Sequence, residues 1–244
     1  MVDLVAHKQP MEQKRSNTVA TYTALVPMRH HSERIPEKNF RVVAGKRLYA
    51  HILETLLECS SISKIVVDTD SAVIKDGITA AYPSVVLIDR PANLRGGEIS
   101  MNEVLLHDVS QVGSDFYLQT HSTNPLLKSR TIERAIKIYE REWPACDSLF
   151  SVTKVQTRFW DGDGVPINHD PTRLLRTQDL PPMYEENSCM YIFERDIFLE
   201  RKNRIGLRPN LFVIDPIEAL DIDEESDFRL AEYLLRQNNS DLEK

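Results

Sequence analysis

The sequence predicts an α/β fold built on a mostly parallel sheet, and three observations predict it. Short runs of about five apolar residues recur along the chain, each bounded by polar or turn-forming residues. Between them lie longer segments whose apolar positions fall at helical spacing. The two kinds alternate, as β–α–β units with a buried parallel sheet require.

Residues 23–28 (TALVPM) open the pattern as a buried strand, and residues 47–59 (RLYAHILETLLEC) follow as an amphipathic helix. Strands are expected at 64–68, 84–89 and 115–119, with helices at 71–82, 100–112 and 129–142 between and after them. Ser100 and Ser129 stand where the last two of these helices need N-caps. A strand at 148–153 ends the regular rhythm. Residues 154–186 show no helical period and are rich in Gly, Pro, Asp and Asn, so the segment 154–187 is expected to be an excursion from the domain. Strands at 188–193 and 211–214 and a helix at 224–236 complete the chain. Residues 1–18 read as a flexible tail and 19–244 as one domain.

Composition removes several classes of function. The 244 residues are 41% hydrophobic and 27% charged, and the mean hydropathy of −0.35 is that of a soluble chain with a sizeable core. A net charge of −7 argues against nucleic acid as a partner, because phosphate backbones bind basic faces. The start of the chain has no apolar segment of a secretory signal, and no run of ~20 apolar residues spans a membrane. Cys59, Cys146 and Cys189 are odd in number and far apart, which suits reduced thiols in the cytoplasm and neither a disulfide framework nor a zinc site. G-x-x-x-x-G-K-[ST] and G-x-G-x-x-G are both absent, which excludes a P-loop kinase and a dinucleotide dehydrogenase. Asp161-Gly-Asp-Gly164 lacks the later glycine and closing glutamate of a calcium loop.

The global charge conceals two clusters of opposite sign. Residues 29–47 carry six cations (Arg29, Arg34, Lys38, Arg41, Lys46, Arg47) against Glu33 and Glu37. Residues 215–227 carry seven anions and no cation. The basic cluster follows the first strand, and open α/β sheets bind ligands beyond the carboxyl ends of their strands. A polyphosphate fits there, although a solvated loop reads the same way. Asp221-Ile222-Asp223, if extended, places two carboxylates on one side, as Mg²⁺ ligation by protein carboxylates and substrate phosphates requires. Asp68-Thr69-Asp70 fits the same pattern, and Asp227 also suits the start of the last helix.

These residues carry a resemblance. Residues 26–39 (VPMRHHSERIPEKN) resemble the signature loop of the acylneuraminate cytidylyltransferases, P-A-R-x-x-S-K-R-I/L-P-x-K-N after a strand. Gly45-Lys46 before an apolar helix, Val66-Val67-Asp68-Thr69-Asp70, Arg90-Pro91-Ala92-Asn93-Leu94, Leu118-Gln119 with Asn124-Pro125-Leu126, and Asp221-Ile222-Asp223 with Asp227 resemble that family's further motifs in the same order. The resemblance covers nearly the whole chain. It implies a Rossmann-related nucleotidyltransferase fold of the glycosyltransferase-A type. It also implies transfer of CMP from CTP to the hydroxyl of an acidic, sialic-acid-like sugar, with release of pyrophosphate, and a homodimer that exchanges the excursion.

By the same resemblance, Arg29 and Lys38 lie along the triphosphate, with Ser32, Asn39 and Ser100 as further nucleotide contacts. Arg90 reads the cytosine edge, and Gln119, His121 and Asn187 border the sugar. Asp221 and Asp223 hold Mg²⁺, and Arg173 and Arg176 in the excursion reach a partner subunit's ligand or belong to a solvated arm. The chemistry is consistent, since two anionic substrates brought together need fixed cations.

The sequence departs from the family at several positions. Glu33 replaces a lysine, and His30 and His31 replace small residues, reading as exposed imidazoles or phosphate contacts. The segment 119–125 is two residues longer than the family pattern, which makes His121 a substrate contact or a general base. Glu185 and Glu186 stand where a basic residue is usual, so an octulosonate or phosphonate acceptor stays open. A nucleotide-sugar glycosyltransferase and a nucleotide-binding protein without catalysis are the competing functions. Trp143, Phe159 and Trp160 read as packing or dimer contacts.

Overall fold

The computed structural model describes residues 20–242, with side chains described to residue 237. The tail expected at 1–18 lies outside the described residues. In chain order the strands are β1 (Tyr22–Leu25), β2 (Val42–Val43), β3 (Lys46–Arg47), β4 (Ile62–Thr69), β5 (Val86–Asp89), β6 (Phe116–Thr120), β7 (Ser148–Val155), β8 (Met183–Glu194) and β9 (Pro209–Val213). The helices are α1 (Leu48–Leu57), α2 (Ala72–Ala81), α3 (Met101–Gln111), α4 (Ser129–Glu142), α5 (Arg195–Arg201) and α6 (Glu225–Leu242).

Seven strands form the central sheet in the order β5-β4-β1-β6-β8-β7-β9. Only β8 runs against its neighbours β6 and β7; the other pairs are parallel. After β1 the chain crosses outward to β4 and β5, then returns to place β6 on the other side of β1. That reversal opens a crevice at the carboxyl ends of β1 and β6, the usual ligand position in such sheets.

Both faces of the sheet are covered, which explains the near-continuous apolar runs. On one face Tyr22, Ala24 and Val26 pack with Ile52, Leu53 and Leu56 of α1 and Ile132, Ile136 and Tyr139 of α4. On the other, Leu25, Val66 and Tyr117 pack with Leu105 and Val109 of α3 and Phe198 of α5. The sides alternate along β1 with period two.

Most expected elements are present within a residue or two. Ser71 caps α2 by accepting from the Ile74 N–H at 3.3 Å, and Ser100 with Glu103 forms a reciprocal capping box on α3. Ser129 does not cap α4. The N-cap is Lys128, Ser129 is already helical, and its hydroxyl donates to Glu58 at 2.9 Å. The Lys128 N–H is taken instead by the Glu218 carboxylate, 3.2 Å away, so an anion from a distant loop replaces the local cap.

The irregular excursion is shorter than expected. β7 and β8 stay paired out to Val155 and Met183, so the unpaired arm is residues 156–182. Alternation does not mark 183–187 as strand, because Met183 and Tyr184 are exposed and the polar Glu185, Glu186 and Asn187 follow them. The hairpin β2–β3 and the short helix α5 were not expected from periodicity. The three thiols are free. Burial pushes Cys59 up to about 12 and Cys189 higher still, whereas Cys146 is only half-buried. A thiol reagent at pH 8 is therefore expected to modify Cys146 alone in the folded protein, with all three reacting in urea. Rapid reaction of two thiols in the native state would contradict the burial of Cys59 and Cys189.

Candidate active site

The two charge clusters meet. The basic loop after β1 and the acidic loop before α6 are drawn together by a small core of Ile35, Val43, Leu48, Ile222, Phe228 and Ala231. Ile35 comes from the basic loop, and Ile222 is the buried residue between Asp221 and Asp223. Arg41 adds a two-pronged ion pair to Glu225, at 2.7 and 3.0 Å, and lies over the Phe228 ring. Burying Ile222 turns the carboxylates on either side of it toward the crevice.

Above this core lies a pocket of about 340 Å³ at the carboxyl ends of β1 and β6. Its cationic wall carries Arg29, Arg34 and Lys38, with Ser32, His31 and Glu33 beside them. Asp221 and Asp223 face them, Arg90 with Leu94, Gly96, Gly97, Ile99 and Met101 forms a third side, and His121, Ser122 and Thr123 close the base. Arg34 donates to Asp223 at 2.5 Å, while Lys38 donates to the Ile222 carbonyl at 2.5 Å and lies 3.6 Å from Asp223. The Arg29 guanidinium makes no ion pair among the described residues. Gly97 lets the loop after β5 approach closely, since a Cβ there would sit 2.8 Å from the Glu33 carboxylate.

Asp221 is placed to meet a cation. Its Oδ1 is buried without a hydrogen-bond partner, and burial, together with Asp223 beside it, raises its pKa. Two carboxylates sharing a site relieve that cost by binding a cation. The residues present therefore fit Mg²⁺, with substrate oxygens completing the shell.

A second acidic cluster lies beneath Arg90. Ligand atoms of Asp68, His107 and Asp108 lie within 4.8 Å of one another. Arg90, only 3% exposed, donates through Nε to the fully buried Asp68. Burial and then the Asp68 carboxylate push Asp108 up to about 9, so at neutral pH Asp108 is a carboxylic acid beside an ion-paired Asp68. The Arg90 guanidinium neutralises Asp68, while Asp68 Oδ2, His107 Nε2 and Asp108 Oδ1 are buried with no hydrogen-bond partner among the described residues.

Asp108 thus makes stability depend on pH. A carboxyl whose pKa is raised on folding stabilises fully below its unfolded value, near pH 4, and that contribution is lost as pH rises towards about 9. The slope is at most about 1.4 kcal/mol per pH unit. Asp108→Asn, neutral throughout, is expected to gain stability relative to the parent between pH 5.5 and 8.5 in urea unfolding. Parallel curves for the two proteins would refute the assignment.

Not every residue singled out in the sequence reaches the pocket. Arg29, Ser32, Lys38, Asn39, Arg90, His121, Asp221 and Asp223 line it. Asn39 does so with its amide already engaged, donating to the Arg29 carbonyl at 2.7 Å and accepting from Ser122 at 2.8 Å. It ties the basic loop to the segment after β6. Ser100 is the α3 cap and lies off the pocket. Asn187 is bound to Ser151 and Thr153 across the irregular pairing of β7 and β8. Gln119 is fully buried, two residues before His121 and hydrogen-bonded to it. Arg173 and Arg176 are exposed on the arm, with Arg176 paired to Asp179 at 2.7 Å. His31 borders the pocket, whereas His30 turns away to hydrogen-bond Ser71 at 2.7 Å. Glu186 is used internally, accepting from the Tyr191 hydroxyl.

Several site residues were not legible. Thr123 hydrogen-bonds Asp221, and Asp108 and Arg204 act from α3 and the loop after α5, where no local motif marks them.

A family model described as cytidylyltransferase matches residues 23–244. The chain belongs to the cytidylyltransferase family. The chain is 29% identical over 228 residues to the CMP-N,N'-diacetyllegionaminic acid synthase of Legionella pneumophila, covering 90% of this chain and 98% of that protein. It is 25% identical over 218 residues to the N-acylneuraminate cytidylyltransferase of Streptococcus agalactiae, covering 84% of this chain and about half (51%) of that longer protein. Among solved structures, a CMP:2-keto-3-deoxy-manno-octonic acid synthetase complexed with CTP superposes with a TM-score of 0.68 over 90% of this chain and 100% of that one, at 16% identity. That likeness establishes the shared nucleotidyltransferase fold. The α/β fold expected from the sequence is therefore the cytidylyltransferase fold, and this cytidylyltransferase is an enzyme of the nucleotidyltransferase class. Among the described residues no helix is long and apolar enough to cross a membrane.

Proposed function

We propose that this cytidylyltransferase transfers CMP from CTP to the hydroxyl of an acidic, sialic-acid-like sugar, releasing pyrophosphate. The observation that carries the reading is the meeting of the basic loop and the Asp221/Asp223 pair across one pocket. A polyanion and a cation are both needed to satisfy such walls. The names of the relatives, which activate nonulosonic acids, point to the same acceptor class.

Arg29 and Lys38 bind the triphosphate oxygens and stabilise the charge that builds on them during transfer. Arg34, now on Asp223, is free to turn to phosphate once a cation takes that carboxylate. Arg90, fixed by Asp68, presents its remaining N–H groups to the cytosine edge. Asp221 and Asp223 would hold Mg²⁺, which would supply charge neutralisation to the substrate phosphates. The acceptor oxygen bonds to the α-phosphorus in line, and the bond to the β-phosphate breaks with its electron pair leaving on pyrophosphate.

The arm fits a dimer interface. It exposes Trp160, Val165, Ile167 and Leu174, an apolar set that a partner subunit would cover. Arg173 and Arg176 on the same arm would then approach the partner's pocket. We place the working enzyme in the cytoplasm as a homodimer.

The test is pyrophosphate release with Mg²⁺ across the four nucleoside triphosphates and a panel of nonulosonates, octulosonates and phosphonates. Release with CTP and a nonulosonate is the expected result. Release only with an octulosonate or phosphonate would move the acceptor, and no CTP binding by calorimetry would overturn the assignment.

A further inference from the structure

Behind the pocket a chain of hydrogen bonds runs from Arg204 through Gln119 to His121. Arg204 Nη1 lies 2.6 Å from Gln119 Oε1. A guanidinium has donors only, so the atom facing it must be the amide oxygen; the flipped amide would set donor against donor. The Gln119 nitrogen is thereby directed to the Thr120 carbonyl at 3.1 Å and to His121 Nε2 at 3.0 Å. An amide nitrogen can only donate, so His121 Nε2 accepts and carries no proton. A neutral imidazole with a bare Nε2 has its hydrogen on Nδ1. The ring is neutral, since burial and then the cations of Arg204 and Lys38 push its pKa down to about 3. Nδ1 has no partner among the described residues and is not among the buried unpaired atoms, and the side chain lines the pocket.

The first donor of the chain is itself held firmly. The Arg204 guanidinium lies 3.6 Å above the Tyr191 ring. Its backbone N–H donates to Asn102 at 3.2 Å. Further along the loop, Gly206 N–H donates to Ser148 at 2.8 Å, and the Leu207 and Arg208 N–H groups each donate to Asp147 at 2.9 Å. Gly206 is required there, because a Cβ would sit 2.1 Å from the Asp147 carboxylate.

We propose that Arg204 and Gln119 are positioning residues that lock His121 in its Nδ1–H tautomer, making it a fixed neutral hydrogen-bond donor to an anionic oxygen of the bound substrates rather than a general base. The role rests on the function proposed above for this pocket, but the tautomer does not. The only basic nitrogen of the ring is occupied by Gln119, so it has no open lone pair with which to take the acceptor proton. The N–H that remains open suits a carboxylate or phosphate oxygen, which accepts and never donates.

Two measurements test this. In the ligand-free protein with ring-¹⁵N-labelled histidine at pH 7, two-bond ¹H–¹⁵N spectra are expected to show His121 as the Nδ1–H tautomer, its signals identified by their loss in His121→Asn. Arg204→Met and Gln119→Leu are expected to release it towards the Nε2–H form, while Arg204→Lys, which keeps a donor, retains Nδ1–H. An Nε2–H signal in the parent, or a tautomer unmoved in both Arg204→Met and Gln119→Leu, would overturn the proposal. This readout needs no substrate, so it stands apart from any failure of the CTP assignment.

In turnover, His121→Ala is expected to lose about 10- to 100-fold in kcat/KM, the scale of one hydrogen bond to a charged group. His121→Asn, whose amide N–H stands near the position of Nδ1–H, is expected to restore most of that loss. A KM effect confined to the acid acceptor would place the anion as its carboxylate, and one confined to CTP as a phosphate; either supports the donor role. Equal losses of kcat in both variants would indicate a base and overturn it.

Discussion

Arg29→Ala is expected to lower kcat/KM for CTP by about 10²–10³-fold, the usual result of removing one preorganised donor from developing charge. The reason lies in what Arg29 does not do. Its guanidinium has no ion-pair partner among the described residues, so truncation leaves no carboxylate stranded. Stability in urea should change by no more than about 0.5 kcal/mol, as for a surface substitution. Lys38 provides the contrast. It holds the Ile222 carbonyl and lies beside Asp223, so Lys38→Ala would disturb the acidic loop as well as the phosphate site. Steady-state kinetics with urea unfolding on both variants separates the two effects. A loss below tenfold in Arg29→Ala would mean that the triphosphate lies elsewhere in the pocket.

The largest stability effect is expected at Arg90. Its pair with Asp68 is almost completely out of water, at 3% and 0% side-chain exposure. Removing one partner of a buried pair costs about 3–5 kcal/mol, because the other charge stays behind. Arg90→Met is expected to fall in that range. The double variant Arg90→Met/Asp68→Asn removes both buried charges of the pair, so it should recover most of the loss. It should remain inactive, because the pocket has still lost the Arg90 side chain. Denaturant unfolding of the two single variants and the double variant gives the coupling directly. A near-neutral Arg90→Met would show that the pair is hydrated in solution.

The parts of this protein that were legible in its sequence are those whose cause is local. Continuous apolar runs marked β1 and β4, and period 3.6 marked α1, because each buries one or both faces against neighbours. Capping chemistry marked Ser100, whereas the cap at Ser71 emerged only in the structure. The basic loop and Asp221/Asp223 stood out because their charges lie close together along the chain. The illegible parts have distant causes. Ser129 failed as a cap because Glu218, far along the chain, reached the helix start first. Gln119 and Asn187 matched a family pattern, yet their amides are engaged by Arg204 in one case and by Ser151 and Thr153 in the other. Arg204 itself sits in a loop of no distinctive composition, and only the fold brings it behind His121.

The small core that joins Ile35 to Ile222 and Phe228 also sets an order of events during synthesis. The ion pair between Arg34 and Asp223 closes a separation of 189 residues, among the longest-range contacts in the fold. Contacts of such separation form late, since the loop they close is entropically costly until other packing has shortened it. A nascent chain still lacking residues 222–231 has its sheet strands but only one wall of the pocket. The pocket proposed to bind nucleotide is therefore completed only when residues 222–231 have packed, and a chain lacking them would keep its sheet and lose the Asp223 side of that pocket.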